Sequence, residues 1–211
     1  MDDSTRSDVS GAGTLSDIRE ALSCVKFLCA AGEQDRAGLR FAADALARLE
    51  QDHELMERFS IVRELGAGGF GRVFLAEDQR LRRPVAIKVP LPRVLAQPRL
   101  CELFAAEPLV AASLDHAGIV PVFDGGHAGV VPYLVSGYVD GPPLDVWLAE
   151  QTCPVDADTA ARLASQLAEA VGHAHERGVL HLDLKPANVL LDTRRDAHGV
   201  EQSFPRLTDL G

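Results

Sequence analysis

Residues 59–71 read FSIVRELGAGGFG, and residues 72–78 continue as RVFLAED. Apolar and polar residues are mixed along both segments in a partly alternating pattern, which favours β-strands. A turn-like QRLRR follows at 79–83, and a third apolar segment, PVAIKVP, occupies 84–90. The pattern predicts a meander of three antiparallel strands, with the cluster of glycines at the tip of the first hairpin.

The glycine cluster at 66–71 matches the pattern G-x-G-x-x-G. In dinucleotide-binding proteins a helix follows such a loop and its N-terminus meets a pyrophosphate, whereas here a strand-like segment follows. The order of elements therefore excludes a dinucleotide-dependent oxidoreductase. Because glycines lack a Cβ atom, they allow the backbone to approach a phosphate closely. A glycine-rich hairpin turn without a ligand is the alternative interpretation.

The chain after residue 90 alternates between helical and strand-like patterns. Residues 98–114 are predicted to be helical with an interruption at Pro108, and a long amphipathic helix is predicted at 158–177, followed by Gly178. Two further strands are predicted at 119–126 and 131–139, joined by a glycine-rich turn, GGHAG. Five strands with one helix, followed by a helix-rich part, indicate an α+β fold.

The N-terminal quarter of the chain has a different pattern. Residues 1–14 are small and polar and are predicted to form a tail, whereas apolar residues at helical spacing predict two amphipathic helices at 16–31 and 34–56. We therefore divide the chain into an N-terminal region, 1–57, and a domain, 58–211. The apolar faces of the two helices need a partner, either this domain or another chain.

Composition and charge limit the possible partners. The 211 residues include 21 Lys and Arg against 31 Asp and Glu, a net charge of −10, which argues against a nucleic-acid partner. No apolar run approaches the ~20 residues that span a membrane, and the polar N-terminus shows no secretion signal. The four cysteines, Cys24, Cys29, Cys101 and Cys153, are therefore predicted to be free thiols in the reducing cytoplasm.

Three further motifs follow the glycines. Lys88 ends the apolar run VAIK, so its ammonium group lies among apolar neighbours and needs an anionic partner. The segment HLDLKPAN at 181–188 follows the long helix and carries Asp183 and Asn188 five residues apart. Asp-Leu-Gly follows at 209–211. The four motifs occur in one order along the chain, which chance alone does not explain.

Together these motifs resemble those of the protein kinase family, most closely its bacterial serine/threonine members, over about residues 58–211. The resemblance implies a protein kinase-like fold with a complete five-stranded small lobe carrying one helix, a partial helical large lobe and a helical N-terminal extension. It implies ATP and Mg²⁺ as cofactors. The reaction it implies is transfer of the γ-phosphoryl group to a Ser or Thr hydroxyl of a protein substrate.

The resemblance also implies a nucleotide site. The glycines would cover the ATP phosphates, Val73 and Ala86 would line the adenine pocket, and Lys88 would hold the α- and β-phosphates. Glu107 would pair with Lys88, with Glu102 as the alternative. The full set of residues implied for nucleotide binding is Leu65, Gly66, Ala67, Gly68, Gly69, Phe70, Gly71, Val73, Ala86, Lys88, Ser136, Gly137, Tyr138 and Val139, of which the last four form the linker between lobes.

The catalytic residues follow from the same resemblance. Asp183 would accept the proton of the substrate hydroxyl or orient that hydroxyl, and Lys185 would stabilise the transferred phosphoryl group. Asn188 and Asp209 would hold magnesium. A lysine two residues after the aspartate is typical of serine/threonine kinases, which favours Ser and Thr as acceptors.

Three features depart from the family pattern. Leu182 stands where many kinases have an arginine that pairs with a phosphate on the activation segment. Pro108 directly follows Glu107, so the helix either kinks there or begins there. The chain stops at Gly211, directly after the magnesium motif. We therefore expect a truncated kinase whose large lobe needs a partner to cover it; the alternative is a catalytically inactive nucleotide-binding or interaction module.

Overall fold

The computed structural model describes residues 57–128, 131–195 and 201–210. The helices predicted at 16–31 and 34–56 lie outside the described residues. The elements are β1 (Phe59–Ala67), β2 (Gly71–Asp78), β3 (Arg83–Pro90), α1 (Pro92–Leu95), α2 (Pro98–Ala111), β4 (Val122–Ala128), β5 (Val131–Gly137), α3 (Leu144–Ala149), α4 (Ala157–Glu176), a 3₁₀ turn (Pro186–Asn188), β6 (Val189–Arg195) and β7 (Glu201–Leu207). The predicted α+β class is confirmed.

The first five strands form one sheet in the order β1-β2-β3-β5-β4. β1 pairs antiparallel with β2, and β2 pairs antiparallel with β3. The meander predicted from the alternating pattern is therefore confirmed.

Asp78 fixes the turn between β2 and β3. Its side chain is only 1% exposed, and its Oδ1 accepts hydrogen bonds from the backbone N–H groups of Arg80 at 3.0 Å and Leu81 at 2.9 Å. Arg58 forms an ion pair with its Oδ2 at 3.4 Å. Burial by itself would raise the pKa of Asp78, but these donors outweigh burial and hold that pKa below its ordinary value. The turn is thus organised around one buried carboxylate.

The described part of the chain divides into two compact units. Among the described residues, the first comprises 57–98 together with His127, Ala128 and Val131, and it contains β1, β2, β3 and α1. The second comprises Arg99–Gly126 and the residues from Pro132 onward, and it contains α2, α3, α4, β6 and β7.

Two predictions made for the region around Pro108 are wrong. α2 runs without interruption from Pro98 to Ala111, so the helix neither begins nor breaks at Pro108. The segment GGHAG was predicted as a turn, but Gly125 to Ala128 belong to β4. A Cβ atom on Gly125 would lie 2.6 Å from Cβ of Pro108. Gly125 therefore does not form a turn. It leaves space within β4 for the Pro108 side chain.

The second unit is built around α4. Asp156 caps this helix, since its Oδ1 accepts a hydrogen bond from Thr159 N–H at 2.9 Å. The apolar face predicted from the 3.6-residue period is confirmed, because Leu163, Ala170 and Ala174 are buried. The core cluster of this unit consists of Leu114, Ile119, Ala170, Ala174, Val179, Val189, Leu207 and Leu210.

The hairpin of β6 and β7 is longer than the sequence pattern indicates. The two strands pair antiparallel along their whole length, from Val189 opposite Leu207 to Arg195 opposite Glu201. The sequence pattern indicates short extended pieces at 179–184 and 188–192, of which only the second coincides with a strand, and neither α1 nor α3 was predicted. None of the helices in the described part of the chain has both the length and the apolar composition required to cross a membrane.

Candidate active site

Four residues implied for nucleotide binding share one face of the sheet in the first unit. Val73 pairs with Gly66 on β1 and with Lys88 on β3. Residues directly opposite each other in an antiparallel pair point to the same side, as do residues two apart along a strand. Ala86 therefore lies on the same face, next to Lys88. Ala86 is buried and Lys88 is half-buried.

The glycine loop, defined as Gly66–Gly71, forms the tip of the β1–β2 hairpin. Ala67 pairs with Arg72, and Gly68 N–H donates to the Gly71 carbonyl at 2.9 Å. Gly69 and Phe70 are therefore the two residues of the tip. The Phe70 side chain is 57% exposed. Outside the tip, an Arg72–Glu64 ion pair links the two strands.

The glycines of this loop fall into two kinds. A Cβ atom on Gly71 would lie 2.5 Å from the carbonyl oxygen of Val89, so β2–β3 packing requires a glycine there. A Cβ on Gly66, Gly68 or Gly69 would meet nothing within 4 Å. None of the loop glycines has a positive φ, which in the described residues occurs only at Gly178, Arg82, Leu182 and Asp209.

Gly66, Gly68 and Gly69 are thus required neither by packing nor by backbone conformation in the described chain. A ligand that approaches the backbone closely would require them, because a Cβ atom would occupy its place. The open space around these three glycines is therefore compatible with a bound phosphate group.

The two candidate partners of Lys88 differ in burial. Glu107 is half-buried on α2, whereas Glu102 on the same helix is exposed. Burial favours Glu107 as the carboxylate with a structural role. Its pairing with Lys88 stays a prediction.

The segment implied as the linker begins at the end of β5. The N–H of Gly137 donates to the Pro121 carbonyl at 2.9 Å, and a Cβ atom on Gly137 would lie 3.2 Å from the Pro121 ring. The Tyr138 hydroxyl donates to Asp140 Oδ1 at 2.9 Å. Ser136, Gly137, Tyr138 and Val139 are all half-buried. Leu65, the remaining apolar residue of the implied site, lies at the exposed end of β1.

The loop from His181 to Asn188, the catalytic loop, brings three predicted residues together. Lys185 Nζ donates to Asp183 Oδ2 at 2.6 Å. Asn188 Nδ2 donates to the Asp183 carbonyl at 2.9 Å and to Asp183 Oδ2 at 3.2 Å. Asn188 is buried, whereas the side chains of Asp183 and Lys185 are 63% and 50% exposed. The buried amide of Asn188 thus holds the exposed carboxylate of Asp183 in place.

The charge state of Asp183 follows from these contacts. The hydrogen bond from Lys185 is the main cause that holds the pKa of Asp183 below its ordinary value, and the Lys185 charge and Asn188 act in the same direction. Asp183 is therefore a carboxylate at neutral pH. It can accept a hydrogen bond or a proton from a hydroxyl group.

Asn188 and Asp209 come close together through the backbone. Thr208 N–H donates to the Asn188 carbonyl at 3.1 Å, and Asp209 follows with a φ of 58°. Asp209 is exposed, while Leu210 is buried in the core of the second unit. The amide nitrogen of Asn188 is used by Asp183, so the Asn188 amide oxygen is the atom that could bind a cation, and the Asp209 carboxylate is the second candidate ligand. Oxygen ligands of this kind fit Mg²⁺.

No other metal centre competes with this pair in the part of the chain that the structure describes. There, no three His, Cys, Asp or Glu side chains come together in a group that could hold a metal ion. Magnesium in kinases is held by few protein ligands together with the phosphates of the nucleotide. A two-residue site is therefore compatible with Mg²⁺.

One contact on the glycine loop has no signal in the sequence. Arg93 on α1 donates from its guanidinium to the Gly69 carbonyl at 2.7 Å. The two residues lie 24 positions apart in the sequence. Only the fold brings them together.

The model of the protein kinase domain matches residues 59–211. The chain belongs to the protein kinase family. The curated relatives include serine/threonine-protein kinase Pkn1 of Myxococcus xanthus, 35% identical over 153 residues that make up 72% of this chain. Serine/threonine-protein kinase PrkC of Bacillus subtilis is 36% identical over 135 residues, or 64% of this chain.

Solved structures agree with this membership. The kinase domain of PknI from M. tuberculosis has a TM-score of 0.61 and 29% identity, and the match covers 72% of this chain and 58% of that one. The protein kinase-like fold is therefore confirmed. The match spans about a fifth of the length of Pkn1 and of PrkC, 21% in each case.

Proposed function

We propose that the chain is part of an ATP-dependent serine/threonine protein kinase. The observation that carries this proposal is the hydrogen-bonded group of Asp183, Lys185 and Asn188, because a positioned carboxylate beside a cation is what phosphoryl transfer to a hydroxyl needs. The spacing of Asp183 and Lys185 and the printed names of the relatives support Ser and Thr as acceptors.

The first unit supplies nucleotide-binding residues in this proposal. Gly66, Gly68 and Gly69 leave space for the ATP phosphates, and Lys88 provides the positive charge that binds them. Val73 and Ala86 present apolar surface to the adenine from the same face of the sheet. Backbone N–H groups and a lysine together provide the charge complementarity that a triphosphate requires.

The second unit supplies the residues for transfer. Asp183 orients the substrate hydroxyl and accepts its proton while the hydroxyl oxygen forms a bond to the γ-phosphorus. The bond from that phosphorus to the bridging oxygen breaks, and ADP leaves with the electron pair. Lys185 lies beside Asp183 and compensates negative charge on the transferred group.

Magnesium is part of the proposal. Asn188 and Asp209 would hold the ion, which when bound offsets the negative charge of the phosphates. The backbone hydrogen bond from Thr208 to Asn188 keeps Asp209, the next residue, close to Asn188.

The setting of the reaction is also proposed. We place it in the cytoplasm, where ATP is available, and the free thiols of Cys101 and Cys153 in the described chain are compatible with a reducing compartment. Leu180, directly before the catalytic loop, is 57% exposed, and Leu182 and Leu184 within the loop are 84% and 53% exposed. This exposed apolar surface favours a protein partner that covers it.

Calorimetric binding of ATP, with and without Mg²⁺, tests the nucleotide site in the purified chain. We expect saturable, Mg²⁺-dependent binding that Asp209→Ala weakens at least about tenfold. Transfer of labelled phosphate to a generic protein substrate then tests catalysis. Asp183→Asn should bind ATP like the parent chain but lose transfer by about 10²- to 10⁴-fold.

Asp158→Asn is the matched control, because it removes the same charge from an exposed position in the first turn of α4. Phosphoamino-acid analysis of the product should show phosphoserine or phosphothreonine. A folded chain that binds no ATP would contradict the proposal and favour an interaction module. Binding without any transfer would favour the inactive nucleotide-binding module instead.

A further inference from the structure

The tip of the glycine loop is tied to the segment that follows β3. The guanidinium of Arg93 donates to the Gly69 carbonyl at 2.7 Å, and the N–H of Leu91 donates to the Phe70 carbonyl at 3.0 Å. Both carbonyl groups of the two-residue tip are thus occupied by donors from residues 91–93. All of these residues belong to the first unit.

The base of this connection is firmly packed. α1 carries Arg93 between its ends, and its next two residues, Val94 and Leu95, are only 1% and 3% exposed. Gln97 Nε2 also donates to the Arg93 carbonyl at 3.3 Å. The backbone of Arg93 is therefore anchored, while its side chain extends across the exposed surface to the loop.

The contact controls the direction of a backbone donor. The carbonyl of Gly69 and the N–H of Phe70 belong to one trans peptide, in which the two groups point in opposite directions. Holding the carbonyl toward Arg93 therefore turns the Phe70 N–H away from α1. Backbone N–H groups at such a tip are the donors that a phosphate oxygen accepts from.

Few other contacts hold this part of the loop. A Cβ atom on Gly66, Gly68 or Gly69 would meet nothing within 4 Å, which shows that packing around these residues is open. Phe70 is 57% exposed, so it is not an apolar anchor for the tip. The orientation of the Gly69–Phe70 peptide thus depends on hydrogen bonds.

We propose that Arg93 is a positioning residue, which holds the tip of the glycine loop through the Gly69 carbonyl and orients the Phe70 N–H toward a bound phosphate. The phosphate-binding part of this role rests on the proposed kinase function. The tethering part is a property of the first unit and does not need a nucleotide.

Amide hydrogen exchange on the isotope-labelled chain, measured without nucleotide, tests the tether. The amide of Gly68 donates a hydrogen bond to the Gly71 carbonyl, and the amide of Leu91 donates one to the Phe70 carbonyl. In Arg93→Ala both amides should exchange about three- to tenfold faster than in the parent. Arg93→Lys keeps a charged donor and should restore part of the protection. Arg80→Ala, which removes an equal charge from an exposed turn of the same unit, should leave both amides unchanged.

Steady-state kinetics tests the link to the nucleotide. We expect Arg93→Ala to raise the KM for ATP about three- to tenfold with a smaller change in kcat, because the loop orders phosphates before transfer. Arg93→Lys should again lie between the two, and Arg80→Ala should match the parent.

The two experiments separate the possible failures. Unchanged exchange of both amides in Arg93→Ala would overturn the tether and with it the proposal. Faster exchange in Arg93→Ala, together with a parent chain that binds no ATP, would uphold the tether and contradict the proposed kinase function. Faster exchange with an unchanged KM for ATP would overturn the positioning role.

Discussion

The glycine loop and the catalytic loop meet opposite physical demands. In the glycine loop, three glycines leave open space around the backbone, and the tip is held by hydrogen bonds to its two carbonyl groups. In the catalytic loop, the functional carboxylate of Asp183 is held by Lys185 and by the buried amide of Asn188. The glycine loop thus leaves space around its backbone, whereas the catalytic loop holds charged side chains in fixed positions.

This difference predicts how each loop responds to a substitution. The glycine loop can approach a phosphate because its glycines have no side chains. An added methyl group there should therefore weaken ligand binding more than it lowers the stability of the fold. A positioned carboxylate depends on its neighbours, so removal of one neighbour affects both the geometry and the charge. Three substitutions test the comparison.

The largest effect on stability is expected at the base of the glycine loop. Gly71→Ala places a Cβ atom 2.5 Å from the Val89 carbonyl oxygen, so β2 and β3 must separate. We expect urea unfolding to show a loss of about 2–4 kcal/mol. Gly68→Ala is the matched variant in open space, and it should lose less than about 1 kcal/mol while weakening ATP binding. Equal losses in the two variants would contradict the division of the glycines into two kinds.

A smaller effect is expected from the amide that supports Asp183. Asn188→Ala removes two hydrogen bonds to Asp183 at a buried position, and we expect a loss of about 1–3 kcal/mol in the free energy of unfolding. The measurement is again urea unfolding. Gln202→Ala, at an exposed position on β7, should stay within about 0.5 kcal/mol of the parent. If both variants unfold alike, Asn188 does not support the loop.

The smallest effect is a change in titration. Lys185→Met removes the donor that chiefly lowers the pKa of Asp183, so that pKa should rise toward the ordinary value for aspartate. The pH at which transfer is lost on acidification should rise in parallel, because transfer needs the carboxylate. Carboxyl-carbon chemical shifts of Asp183 follow the titration without any need for activity. Lys185→Arg keeps the charge and should keep the pKa low; a rise in both variants would exclude charge compensation as the cause.

Local patterns were sufficient for much of the fold. The alternating segments before residue 90 predicted β1, β2 and β3, and the 3.6-residue period predicted the buried face of α4. These elements depend on neighbours a few positions away, so their signal is present in the sequence. The residues implied for catalysis also came from short motifs, and Asp183, Lys185 and Asn188 do lie together.

Other features could not be predicted because their causes lie far away in the chain. Gly125 belongs to a strand, and not to a turn, because Pro108 packs against it. The second half of β6 extends as far as it does because β7 pairs with it. In each case the local composition favours a turn or a loop, and a distant partner overrides that preference.

By itself, the sequence determined the order of the early strands, the amphipathic face of α4 and the types of residue at the candidate site. These depend on chemistry and on short spacings, which any one segment carries alone. Only the tertiary structure decided that Arg93 bonds to Gly69 and that Asn188 bonds to both Thr208 and Asp183. Such contacts depend on how packed elements place distant residues within about 3 Å, and no local pattern encodes that distance.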